Sequence, residues 1–268
     1  MAPKNKFQLP PVVAVLALLA ALFIFLPILA LLWGADWGTF PADINAPSTL
    51  SALRLSLITA LFSTLFCILL GVPLAFYLSG TSSWLSVILR ILVNLPLVMP
   101  PLVGGLALLM LLGRRGLLGG LLFETMGIQL PFTTPAVIIA QVFVSMPFMV
   151  ISLEGVLRSQ DPTFALTAAS LGASPWRVFW HVTLPMARAG LAAGTVLTFA
   201  RALGEFGATA LFAGNREGIT QTMPLAIYTA FNGGGVSTSS AIALALLLLV
   251  VAFAVMMVTR SWYPKATK

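Results

Sequence analysis

Six apolar stretches set the rhythm of the chain, over 12–33, 55–78, 88–112, 134–153, 189–212 and 239–259. Each is near the length that crosses a hydrocarbon core of about 30 Å as a helix. Polar or mixed segments separate them: "GADWGTFPADINAPST", "SGTSSW", "GRRGLLGGLLFETMGIQLPFT", a long segment over 154–188, and "GNREGITQTMPLAIYTAFNGGGVSTSS". No internal repeat is evident. The pattern predicts an all-α, polytopic membrane protein of about six transmembrane helices, a single transmembrane domain over 1–268. The first stretch follows Lys4 and Lys6, as the apolar core of a signal peptide does. It is long enough to span, and no small-residue cleavage pattern closes it, so it is read as a retained helix.

The third stretch is irregular. "NLPLVMPPLVGG", over 94–105, holds three prolines and two glycines. Each proline removes a backbone donor and kinks a helix. Carbonyls freed in this way must be met by protein or by a water-lined cavity, not by lipid. Asn94, which opens the segment, and Gln141 and Ser145 in the fourth stretch are uncharged polar candidates for a path through the membrane, each read first as an interhelical hydrogen-bonding group.

The segment over 161–185, "DPTFALTAASLGASPWRVFWHVTLP", carries its own punctuation. Asp161 and Pro162 suit the N-cap and first position of a helix, and "TFALTAASL" continues it. Gly172 suits a helix stop. Ser174 and Pro175 restart a helix that "WRVFWHV" carries to Thr183, with Leu184-Pro185 expected to close it. Trp176, Phe179 and Trp180 fall at the i, i+3, i+4 spacing of one apolar face. The expected product is a helix–turn–helix beneath the membrane.

In the fifth stretch "TFARALGEFGAT" puts Arg201 and Glu205 four residues apart among apolar and small residues. An ionised side chain at mid-bilayer costs roughly 2.5–3.5 kcal/mol even on the translocon scale. At i, i+4 the two can pair on one helix face. Three readings stay open: a clamp between helices, a lining of an anion path, and a proton relay through Glu205. Thr198, Gly204, Gly207 and Thr209 share the stretch, and small residues let two helices approach closely.

Composition sharpens this picture. Only 8% of residues are charged and 59% are hydrophobic, with a mean hydropathy of +1.05. Soluble domains carry about 25% charged residues. The net charge of +7 is therefore not a nucleic-acid footprint but a matter of placement. With the N-terminus inside, nine Lys/Arg lie on the inner side (Lys4, Lys6, Arg90, Arg158, Arg177, Arg188, Arg260, Lys265, Lys268) and four outside (Arg54, Arg114, Arg115, Arg216). The positive-inside rule then puts both termini and the 161–185 segment in the cytoplasm. Cys67 is the single cysteine, so no internal disulfide forms. His181 is the single histidine and falls in the cytoplasmic loop, which rules out a histidine-based metal site or triad within the membrane. None of the four lysines sits in G-x-x-x-x-G-K-[ST], so the chain has no P-loop of its own.

Gly172, Val182, Thr183 and then Leu184-Pro185 resemble the "EAA–G–I–LP" loop of permease subunits of ABC importers. "GRRGLLG", "ARALGEFGAT" and "TQTMPLAIY" are similar to the molybdate-type branch of that family, and the likeness covers about residues 50–260. The "EAA" positions are Leu166, Thr167 and Ala168 here, without the acidic residue.

The resemblance implies the type I importer permease fold in the cell inner membrane and no catalysis in this chain. It further implies a coupling loop over 161–185 in which Ala168, Gly172, Trp176, Arg177, Leu184 and Pro185 meet a separate ATPase. ATP and magnesium would sit on that ATPase. Two ATPase copies, a second copy of this chain and an extracytoplasmic oxyanion-binding protein would complete the assembly, the last meeting segments 113–132 and 213–238. The fifth helix would line the pathway with Thr198, Arg201 and Glu205. Molybdate or tungstate is the implied cargo. A sulfate or thiosulfate permease of the same superfamily and a stand-alone secondary anion transporter are the alternatives.

Overall fold

The computed structural model describes residues 10–233 and 238–260. The end lysines that weigh in the orientation count, Lys4, Lys6, Lys265 and Lys268, lie outside them. Among the described residues all regular structure is helical. In chain order the helices are α1 (Pro11–Trp33), α2 (Phe40–Ile44), α3 (Pro47–Gly80), α4 (Trp84–Val98), α5 (Pro101–Leu112), α6 (Gly119–Met126) and α7 (Thr134–Ser159). There follow α8 (Thr163–Ser170), α9 (Pro175–Val178), a π-helical turn (Phe179–Thr183), α10 (Leu184–Met186), α11 (Arg188–Leu203), α12 (Gly207–Phe212), α13 (Met223–Phe231) and α14 (Thr238–Arg260).

Four of these are single apolar spans: α1, α3, α7 and α14. The expected third and fifth spans are not continuous helices. α4 and α5 diverge by 119° at Met99-Pro100, and the segment 175–186 and α11 diverge by 71° at Ala187. The first break follows from Pro100 and Pro101, whose rings cannot continue a helical hydrogen-bond ladder. The fifth span, expected over 189–212, starts just past the Ala187 bend and breaks over 204–206, between α11 and α12. α3 also starts earlier than the apolar run, at Pro47, and its 34 residues reach about 51 Å at 1.5 Å per residue. It therefore projects well beyond the hydrocarbon core. Short helices α2, α6 and α13 fill connections that looked irregular in sequence.

The core lies between α3, α7 and α11, where small residues bring backbones together. A side chain at Gly190 would stand 2.7 Å from Val156, and one at Gly194 would meet Met149 and Ser152. α5 and α12 meet the same way: a Cβ on Gly105 would lie 2.8 Å from the Ala208 carbonyl, and one on Gly207 would lie 2.6 Å from Pro101. Cys67 is buried in the α3–α7 cluster with Val72, Ala75, Leu78, Met149, Val150 and Leu153. By contrast, α1 buries none of its residues against its own chain.

Candidate functional site

Two regions carry the sequence candidates. The first is the cytoplasmic loop. Asp161 accepts the Thr163 N–H at 2.9 Å, but it stands one residue outside the expected N-cap position: the helix runs over Thr163–Ser170 with Pro162 as its N-cap. Those hydrogen bonds, first from the Thr163 hydroxyl and then from its backbone, hold the Asp161 carboxyl below the usual carboxylate range. Gly172 stops the helix with φ +84°, a left-handed conformation that glycine adopts without strain. Ser174 caps the next helix by accepting the Arg177 N–H at 3.4 Å, with Pro175 in first position. Leu184-Pro185 does not end the helix. The chain stays helical through Met186 and turns at Ala187.

The three aromatics do share a face. Trp176 stacks near Phe179 with centroids 6.0 Å apart, and Trp180 meets Phe179 edge-on at 5.2 Å. Their environments differ sharply. Trp176 is 71% and Trp180 47% exposed, whereas Phe179 packs on the α3–α7 core together with Leu184. Gly172, Arg177 and Pro185 are exposed and Ala168 is half-buried. Leu184 is half-buried like Ala168, with its packed side against that core.

The second region is the break between α11 and α12. Arg201 Nη1 lies 2.7 Å from Glu205 Oε2, the arginine side chain 26% exposed and the glutamate 1%. The pair was expected on one helix face. Instead Glu205 sits past the end of α11, and its Oε1 accepts the Ala208 N–H at 2.8 Å in the first turn of α12. One carboxylate thus holds the arginine with one oxygen and the start of the next helix with the other. Thr198 is fully buried a turn before Arg201, and no hydrogen bond joins it to the pair. Asn94 stands apart on α4, half-buried, its carbonyl oxygen without a partner among the described residues. Gln141 makes the interhelical bond expected of it, accepting from Ser63 Oγ at 2.9 Å. Ser145 Oγ has no such partner among the described residues.

A third cluster escaped the sequence reading. Glu154 Oε1 holds Arg90 Nε at 2.7 Å and Arg158 Nε at 2.9 Å. Arg90 Nη2 donates to the carbonyls of Leu78 and Thr81 at the end of α3, and Arg158 Nη2 reaches Leu78 O at 3.5 Å. The last carbonyls of a helix have no partners within it, and these two arginines supply them. The Glu154–Arg158 spacing of i, i+4 was visible in sequence. Arg90, 64 residues away, was not.

A family model described as "binding-protein-dependent transport system inner membrane component" matches residues 68–266. The chain belongs to that family. It is an ABC-transporter permease subunit, a multi-pass component of the inner membrane. The permease is 49% identical over 221 residues to the molybdenum transport system permease protein ModB of Mycobacterium bovis, covering 82% of this chain and 83% of the relative. It is 37% identical over 208 residues to the protein of that name from Escherichia coli, covering 78% and 89%. Its fold is similar to a chain of a bacterial ABC transporter involved in the import of the acidic polysaccharide alginate, with a TM-score of 0.75 at 18% identity over 96% of this chain and 95% of that one. A chain of the MetNI methionine ABC transporter gives 0.62 at 16% identity, covering 79% of the permease and 93% of that chain. At such identities the likeness speaks for the fold, the type I importer permease architecture expected from the sequence.

Proposed function

We propose that this permease moves a tetrahedral oxyanion, molybdate and with it tungstate, into the cytoplasm. The observation that carries this is the Arg201–Glu205 arrangement, together with relatives named for molybdenum transport. Arg201 keeps about a quarter of its side chain open while its counter-charge is buried and engaged on both oxygens. The result is a partly neutralised cation beside a helix break. It attracts a dianion without trapping it, as a conduction path requires. The same geometry weighs against a proton relay, because Glu205 is fixed by a cation and a backbone N–H rather than facing a wet path.

Two copies would enclose the pathway about a two-fold axis. Two ATPase subunits, holding ATP and magnesium, would dock on 161–185 through Ala168, Gly172, Trp176, Arg177 and Pro185. A short helix presenting an aromatic face to a groove is a known recognition mode. An extracytoplasmic binding protein would meet the outer segments 113–132 and 213–238. There Arg114 lies 4.2 Å over the Phe123 ring, which helps to fix α6. ATP binding would bias a two-state dimer through the loops, and the delivered anion would bias it from the other end.

The test is uptake of labelled molybdate into cells lacking the chain, with and without a plasmid copy. Restored uptake that unlabelled tungstate blocks and sulfate does not is the expected result. Competition by sulfate would move the assignment to a sulfate or thiosulfate permease, and unchanged uptake would remove the substrate reading.

A further inference from the structure

The loop can pass a displacement to the membrane helices by two routes. The covalent route runs from α9 through the π-helical turn and the three residues of α10 to the 71° bend at Ala187, and only then into α11. Its wide turn is closed by a bond from the Leu184 N–H back to the Phe179 carbonyl, and a bend follows at once. π-turns within helices occur often at functional sites. The other route is side-chain packing on the α3–α7 core, which Phe179 shares with Leu184. Phe179 meets Phe76 of α3 edge-on, with centroids 4.8 Å apart and planes at 79°. Behind Phe179 stand the two exposed tryptophans, Trp176 and Trp180.

Two residues beyond Phe76 along α3, the Leu78 carbonyl receives both Arg90 of α4 and Arg158 of α7, and Glu154 ties those two arginines together. The cytoplasmic ends of α3, α4 and α7 are thus one cross-linked block, with Phe76 on its loop-facing side.

We propose that Phe179 is a positioning residue for transport. It carries the movement of the cytoplasmic loop into the α3–α4–α7 block through Phe76, beside the flexible covalent route into α11. The proposal rests on the reading of 161–185 as the ATPase-docking surface.

The experiment uses the full complex of permease, ATPase and binding protein in liposomes, with ATP hydrolysis and oxyanion uptake measured on the same sample. Phe179→Ala should retain the ATPase and its hydrolysis, while anions moved per ATP fall by about tenfold, within the roughly 5–150-fold range of coupling between sites. Phe76→Ala should do the same, and the double variant should fall no further than either single one, as residues acting through one contact do. Phe179→Tyr, which keeps the ring, should restore the ratio; a merely structural loss would lower hydrolysis and uptake together. An unchanged ratio in Phe179→Ala, or losses that multiply in the double variant, overturns the proposal. Should Phe179→Ala lose the ATPase altogether, Phe76→Ala decides, and an unchanged ratio there overturns it equally. If the parent chain never retains an ATPase, the docking reading fails and this proposal with it.

Discussion

The cytoplasmic loop and the α11–α12 break are built on opposite terms. The loop sets two exposed tryptophans and an exposed arginine on a scaffold fixed by local caps. The break buries a carboxylate almost completely and leaves its partner arginine partly open. A surface of the first kind can lose a side chain without losing the fold. A buried ion pair cannot, because removing one partner strands the other charge. The permease therefore separates an exposed surface, suited to docking and release, from a charge arrangement that must hold its geometry.

The break gives the largest expected effect. Glu205→Ala leaves Arg201 without its counter-ion and Ala208 without its acceptor. Loss of one partner of a buried pair costs about 3–5 kcal/mol, so a marked fall in thermal stability in detergent and loss of uptake are expected. A stable, transporting variant would show the carboxylate to be dispensable. The exchange Arg201→Glu with Glu205→Arg sharpens the point. If only the ion pair mattered, the exchange would restore uptake. An arginine at 205 cannot accept the Ala208 N–H, so the exchange is expected to fail, with α12 frayed in hydrogen exchange.

The loop gives smaller effects on folding and selective effects on assembly. Trp176→Ala removes an exposed ring, so thermal unfolding should not move. Aromatic anchors at interface centres contribute about 2 kcal/mol or more, and ATPase binding should weaken about 30-fold, read by titration of the ATPase onto the purified permease. A shifted melting temperature with unchanged binding would reverse the assignment. For Gly172→Val, a Cβ on Gly172 would have no neighbouring atom within 4 Å. Its cost is the left-handed backbone alone, roughly 1–2 kcal/mol, borne by the turn between α8 and α9. Uptake per ATP should fall, and Gly172→Asn, better suited to that conformation, should fall less. Full activity in the valine variant would mean that the turn has no part in coupling.

How much of this was legible follows from how local each signal is. Gly172, Ser174 and Pro175 act within a few residues of themselves, and the structure places the loop helices where those residues put them. The apolar runs announced the spans, but hydropathy is blind to direction, so the 119° divergence of α4 and α5 surfaced only as an excess of proline. Arg201 and Glu205 were visible as misplaced charges. That Glu205 lies beyond the helix end and holds α12 was hidden, because Gly204 is tolerated inside many helices and does not by itself mark a break. Arg90–Glu154 and Phe76–Phe179 join residues far apart in the chain, and no spacing rule reaches them.

The finest distinction between the two regions is made by Asp161, at the entrance of the loop. Unlike Glu205 it is fully exposed and holds only the Thr163 hydroxyl and N–H, which keep its carboxyl below the usual range. A depressed carboxylate contributes its stability above the unfolded value, near 3.9, and loses it as pH falls through the lower folded value. The Asp161–Thr163 contact is therefore complete across neutral and mildly acidic pH. Asp161→Asn keeps an acceptor oxygen and should leave amide exchange over 163–166 nearly unchanged at neutral pH. Asp161→Ala removes it and should speed that exchange, with stability and ATPase binding close to the parent. Equal exchange in both variants would mean that the first turn of α8 is held by its packing on α9 rather than by its cap.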